Sequence, residues 1–187
     1  MKIETIEIAG WASALQALRL SYGKECRSRV EVDQCMYDNA GFAPDFPKEW
    51  SGWIGVSVNA KDLELLQKLV LAGDEHAKVL RGVIVWARIT MPVYMWAEME
   101  TYIAGHQRLM SESTMHIDCR GLSGEELQKA KAEIPMGKEL TKVDFFSYQC
   151  LRNIYRQRKD HRLPEWHEIC KWIESLPLAE ELIVKHV

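Results

Sequence analysis

Apolar positions recur along this chain at recognisable spacings, and where the spacing changes the chain is expected to change element. From Trp11 to Tyr22 (WASALQALRLSY) the spacing is helical. Gly41 to Gly55 (GFAPDFPKEWSGWIG) breaks every period with two Pro and three Gly, which predicts a long loop folded back onto the core as a lid. Asn59 is placed to cap a helix over AKDLELLQKLVLA, whose apolar residues form one stripe, and Gly73 is placed to end it. Arg81 to Thr90 (RGVIVWARIT) is β-branched and nearly all apolar in its first half, the composition of a strand covered on both faces. Pro92 then opens a helix over PVYMWAEMETYIA, because Pro at the first helical position removes an N–H that has no partner anyway, and Gly105 stops it. Ser123 with Glu126 forms the S-x-x-E pattern of a capping box, predicting a short helix that ends before Pro135. Val143 to about Arg158 has apolar residues at 143, 146, 150, 151 and 154 and predicts one amphipathic helix. A last helix runs from Pro164 to before Pro177. One strand among mostly helices predicts an α+β fold, a small sheet covered by helices.

Length and composition narrow the class. The 187 residues predict a single domain over 1–187, and 47% hydrophobic content with seven Trp excludes a disordered chain. A formal charge of −3 argues against a general grip on nucleic acid. MKIETIEIAG lacks a secretory pattern and no run approaches the ~18 apolar residues of a membrane span, so the expectation is a cytoplasmic protein away from membranes. Cys26, Cys35, Cys119, Cys150 and Cys170 are odd in number and scattered, which fits reduced thiols.

Candidate chemistry gathers in two stretches. In the helix from Pro92, Glu98, Thr101 and Tyr102 share a face that Gly105 leaves open, and SESTMH (111–116) follows with hydroxyls, a carboxylate and an imidazole but no apolar period. A solvated helix C-terminus is the plain alternative. Further on, Arg152, Arg156, Arg158, Lys159 and Arg162 form a basic patch with Asp160 as its one acid, suited either to a helix C-terminus or to a phosphate. Two H-x-x-C pairs, His116 with Cys119 and His167 with Cys170, offer zinc ligands without a C-x-x-C to reinforce them, so no metal site is assigned. Trp86, Trp96, Trp166 and Trp172 fall inside predicted elements and read as core, while Trp50 and Trp53 are better placed to cover a planar ligand.

The run EHAKVLRGVIVWARITMPVYMWAEMETYI, with its His, apolar strand and Pro opening a helix, resembles the flavin-dependent thymidylate synthases (ThyX). In that register Glu98 falls on the family's nucleotide-binding Gln. The family continues R-H-R-x-x-S-x-N-E-x-S-x-R-Y, and a three-residue insertion brings S-E-S-T-M-H onto N-E-x-S-x-R. The resemblance thus implies Ser111, Glu112, Thr114 and His116 as substrate residues, joined by Glu98, by Asn153 and by Arg158 five residues later. His76, Thr101, Tyr102 and Arg108 are implied for the cofactor. The chain departs from the pattern where R-H-R falls on Thr101, Tyr102 and Ile103, so both arginines are absent, and Arg108 is placed to supply one lost charge by reaching back.

What the resemblance implies is a homotetramer that binds dUMP or a related nucleotide and transfers a one-carbon unit to C5, with FAD as hydride carrier and folate and NADPH as co-substrates. A nucleotide-binding or structural protein on the same scaffold, without flavin chemistry, is the alternative. No G-x-G-x-x-G or Walker loop points elsewhere.

Overall fold

The computed structural model describes residues 1–25, 29–30 and 56–185. The Gly41–Gly55 loop, with Trp50 and Trp53, lies outside them, as do Cys26 and Cys35. A four-stranded antiparallel sheet is built from β1 (Lys2–Ala9), β4 (Ile84–Pro92), β5 (His106–Ser111) and β6 (Glu139–Ser147), in the order β1-β4-β6-β5. Short strands β2 (Arg29–Val30) and β3 (Val56–Ser57) pair separately. The helices are α1 (Trp11–Ala17), α2 (Ala60–Leu71), α3 (Val93–Met99), α4 (Thr114–Ile117), α5 (Gly124–Ala132), α6 (Tyr148–Arg158) and α7 (Pro164–Glu174). The α+β expectation holds, with more strand than the periodicity shows.

Central β4 shows how the sheet faces its surroundings. Val85, Ala87, Ile89 and Met91 are fully buried, whereas Arg88 is exposed and Trp86 and Thr90 are half-buried. Among the described residues the strand is therefore well covered on one face only, which corrects the expectation of cover on both. On the open face Trp86 meets its pairing partner Phe145 at 4.9 Å. The covered face joins α2 (Leu66, Val70), α3 (Met95, Trp96), α6 (Leu151, Ile154) and α7 (Trp166, Ile169, Ile173) in one apolar cluster.

Three elements depart from the sequence reading. β1 escaped notice because its alternation slips: the register shifts between Thr5 and Glu7, and Ile6 is left exposed. The helix expected over 143–158 is divided. Residues 139–147 pair with β4 from Glu139↔Pro92 to Ser147↔Ile84, and the helix starts only at Tyr148, where the Ser147 hydroxyl accepts from the Cys150 N–H at 3.2 Å. Apolar residues at 143 and 146 are three apart, a helical spacing that puts them on opposite faces of a strand, so the pairing with β4 overrides the local period. Helix α3 stops at Met99 rather than running to Ala104, because the chain turns back to lay β5 along β6. Gly105 still serves that turn, at φ +81°, with its carbonyl accepting from Ser147 N at 2.6 Å.

Capping follows the sequence at Asn59, whose side chain accepts from Lys61 N at 3.0 Å. At Ser123 the helix forms without any side-chain cap. Among the described residues no helix is long and apolar enough to cross a membrane.

Candidate functional site

Glu98 ends on the last turn of α3 and faces the C-terminal end of α6 and the start of α7. Its Oε2 accepts from Arg158 Nη1 at 2.9 Å and from the indole N–H of Trp166 at 2.9 Å, with His161 Nε2 at 3.9 Å. Arg158 Nε donates to the Tyr102 hydroxyl at 2.7 Å, and that hydroxyl donates to Gln157 at 3.3 Å. The guanidinium lies 4.4 Å from the Trp166 ring centre and 5.6 Å from that of Tyr102. Trp166 is wholly buried and Tyr102 nearly so, so two aromatic rings wall a fixed carboxylate–guanidinium pair. Such a setting strengthens polar contacts. Glu98 keeps 34% of its side chain accessible and Arg158 18%, so the pair is reachable from solvent.

This arrangement joins Glu98 on α3 and Tyr102 just beyond its end to the basic patch inside one chain. Two other patch residues turn elsewhere. Arg152 is buried, donating to Asp74 at 2.7 Å and to the Val70 carbonyl at 3.2 Å. Arg156 donates to Asn153 at 3.3 Å.

The 111–116 segment lies elsewhere. β5 continues into Glu112, whose backbone N–H and carboxylate both engage the backbone of Thr141, the carboxylate at 2.7 Å. The Ser111 hydroxyl donates to the Glu112 carbonyl at 2.8 Å, Thr114 accepts from Lys131, and His116 is exposed on α4. Ser111 and Glu112 line an open groove of about 560 Å³ with Lys2, Glu4, Arg88 and Lys142. Among the described residues no hydrogen bond or ion pair links Ser111, Glu112, Thr114 or His116 to Glu98 or Arg158.

Glu100 sits between the two regions. It pairs with Arg108 of β5 and, at 2.6 Å, with Lys142 of β6. Arg108 reaches back to Glu100, which meets its charge. The Lys142 ammonium lies 4.3 Å from the Trp96 ring centre, and burial, aided by Arg108 and opposed by Asp144, lowers its pKa to about 8. Thr101 donates to the Glu98 carbonyl at 2.7 Å, and exposed His76 has Glu75 at 3.8 Å. Among the described residues no group of three or more His, Cys, Asp or Glu is disposed to hold a metal ion.

No family model matches the sequence, and no curated protein matches it. Solved structures do. ThyX, the flavin dependent thymidylate synthase, from Helicobacter pylori, complexed with FAD and dUMP, matches with a TM-score of 0.65 at 13% identity over 100% of both chains. A second structure of ThyX from that organism with FAD and dUMP gives 0.65 and 13%, over 100% of this chain and 99% of the other. The chain has a ThyX-like fold.

Within this ThyX-like fold, sequence reasoning missed several polar contributors. Trp166 reads as core, yet its N–H is one of the two close donors to Glu98. His106 and Asp144 form a buried pair at 2.7 Å, the imidazole stacked on Phe146 at 4.5 Å, and the second Asp144 oxygen has no partner among the described residues. Their signal is the strand pairing Arg108↔Asp144 and His106↔Phe146, which exists only once β5 and β6 are recognised as strands.

Proposed function

We propose that this ThyX-like protein binds a pyrimidine deoxynucleotide, dUMP or a related one, and transfers a one-carbon unit to C5 of its base. The observation that carries the reading is the Glu98–Arg158 pair walled by Tyr102 and Trp166, standing at the position aligned with the family's nucleotide-binding Gln. Glu98 and Arg158 orient the base and its anionic end. Ser111, Glu112, Thr114, His116 and Asn153 are proposed to complete the site across a contact between copies, since within one chain they stand apart from Glu98. That places the sites of a cytoplasmic homotetramer between subunits.

The donor set assigned to FAD consists of the Arg108 guanidinium, the Thr101 and Tyr102 hydroxyls and the His76 imidazole. A phosphorylated cofactor would take Arg108 from Glu100, the Thr101 hydroxyl from the Glu98 carbonyl and the Tyr102 hydroxyl from Gln157; Arg108, Thr101 and His76 are on exposed residues. When bound, FAD supplies hydride chemistry, with folate as carbon donor and NADPH as reductant. The protein's part is to hold and orient the base and exclude water from it.

A second reading is favoured by a specific observation: Thr101 and Ile103 stand where the family pattern has arginines, Ile103 is 83% exposed, and Arg108 is already paired with Glu100. Under it the chain binds nucleotide without flavin. Purified protein that is yellow, retains added FAD and releases tritium from C5-labelled dUMP or dCMP supports the transfer reaction. A colourless protein that does neither, yet is stabilised by nucleotide, supports the binding module. Absence of any nucleotide binding would refute both.

A further inference from the structure

The Glu98 carboxylate has one oxygen committed and one uncommitted. Oε2 receives Arg158 and Trp166, which hold the group in place, while Oε1 accepts from no described residue and a third of the side chain is accessible, at 34%. A guanidinium-paired carboxylate has no proton to give, so Oε1 only accepts. Whatever part of a ligand meets it must present an N–H or O–H.

Resting on the nucleotide-binding reading above, we infer that Glu98 makes this site select an aminopyrimidine, a base of the cytosine type, over an oxopyrimidine of the uracil type. The exocyclic amino group at C4 donates to Oε1 as a charge-assisted hydrogen bond. The C4 carbonyl of uracil sets a second acceptor against the carboxylate instead. Uracil can offer Oε1 only its imide N–H, and the two carbonyl oxygens flanking that N–H weaken its bond to an anion, whereas the amino group of cytosine has an N–H on its C5 side with no acceptor beside it. The Arg158 and Trp166 donors are occupied on the far oxygen and hold the carboxylate against turning away. A fixed polar group that meets a mismatched partner discriminates more strongly than a change in apolar fit.

The experiment is calorimetric binding of dCMP and of dUMP to the full chain at neutral pH, repeated with Glu98→Gln, whose amide can donate as well as accept. On the unmodified protein dCMP is expected to bind at least about tenfold more tightly than dUMP, the scale of one charge-assisted hydrogen bond set against one acceptor clash. In Glu98→Gln the ratio should fall to about threefold or less, as the amide meets a C4 carbonyl as readily as an amino group. Equal or tighter binding of dUMP to the unmodified protein overturns the selectivity while leaving the nucleotide reading intact. An unchanged preference for dCMP in a folded Glu98→Gln removes Glu98 as its source. If neither nucleotide binds, the nucleotide reading itself falls and the selectivity with it. The unmodified protein alone decides the first comparison, whatever the variant's stability.

Discussion

Arg158 is where the candidate site is most sensitive to a single change. It bridges Glu98 and Tyr102 with different nitrogens of one planar group, a geometry that an ammonium cannot reproduce. Arg158→Ala is expected to lower stability by about 1–3 kcal/mol in urea denaturation, because a partly buried carboxylate loses its cation. It should also weaken nucleotide binding at least about tenfold by the same calorimetry. Arg158→Lys should fall between, keeping the charge and losing one of the two contacts. Unchanged stability and affinity in Arg158→Ala would remove this residue from the site.

Lys142 carries a pH signature at the same scale. Its amine is lowered from 10.5 to about 8 in the folded chain, so the unfolded chain keeps that proton to higher pH and stability rises as pH climbs from about 8 toward 10.5. Below pH 8 both states are charged and the burial penalty is felt in full. Burial pushes the Cys150 thiol up to about 12 and Cys170, with Glu174 and Asp160 adding to burial, up to about 11; both act in the opposite sense above their ordinary value of 9. Between pH 8 and 9 the lysine by itself adds about 1 kcal/mol, and the two thiols, which begin to ionise in the unfolded chain there, offset about 0.7 kcal/mol of it. Chemical denaturation across that window should find stability nearly level or slightly rising in the unmodified chain and falling in Lys142→Met, the difference between the two being the lysine's part.

At the scale of elements, helix starts that look alike in sequence differ in structure. Asn59 and Ser147 hold a backbone N–H with their side chains, and replacing either by Ala should cost about 1 kcal/mol. Ser123→Ala should cost far less, because no such bond is made there and α5 has no buried residue. Thermal melts of the three variants test the ordering. Gly105 is a harder constraint. It sits at φ +81°, and a methyl there would run into the Ser147 hydroxyl, so Gly105→Ala combines left-handed strain with disruption of the α6 cap. Its cost should exceed that of Ser147→Ala, at roughly 2 kcal/mol or more.

The same contrast explains which elements could be read in advance. Helix α2 is legible because its stripe, its Asn59 cap and Gly73 (φ +116°) all agree. Helix α7 is legible from Pro164 at its first turn and a clear buried stripe of Trp166, Ile169, Cys170 and Ile173. Strands β1, β5 and β6 are not. β1 and β5 each carry a register shift, which spoils a count of alternate residues, and β5 has four consecutive exposed residues, from Gln107 to Met110. In β6 Lys142 and Asp144 occupy buried positions, so the expected apolar-in pattern is broken by an ammonium beside Glu100 and Trp96 and a carboxylate beside His106.

For the molecule as a whole, a ligand that binds only the folded chain raises its melting point. Nucleotide at a hundred times its Kd should add about 2.7 kcal/mol, or roughly 5–10 °C for a chain of this size. A shift with dCMP or dUMP that disappears in Arg158→Ala would tie the whole-molecule response to one side chain. Sedimentation velocity tests the proposed tetramer directly, and a monomer at micromolar concentration would remove the completion of the site by a neighbouring copy. The one-sided sheet makes that test pertinent, since β4 presents half-buried Trp86 and exposed Arg88 on its open face.

By itself the amino-acid sequence determined some local matters: the Asn59 cap and Gly73 stop of α2, the start of α7 at Pro164, and the apolar stripes of both. These depend on spacing within a few residues, and spacing is written in the chain. Only the tertiary structure decided that Arg158 and Trp166 close on Glu98 from 60 and 68 residues away, and that Ser111 and Glu112 line a different surface. It also decided that 139–147 is a strand rather than half a helix. The physical reason is common to all three. Each is settled by which distant partner supplies hydrogen bonds and burial, and that free energy outweighs the small local preference carried by any one segment.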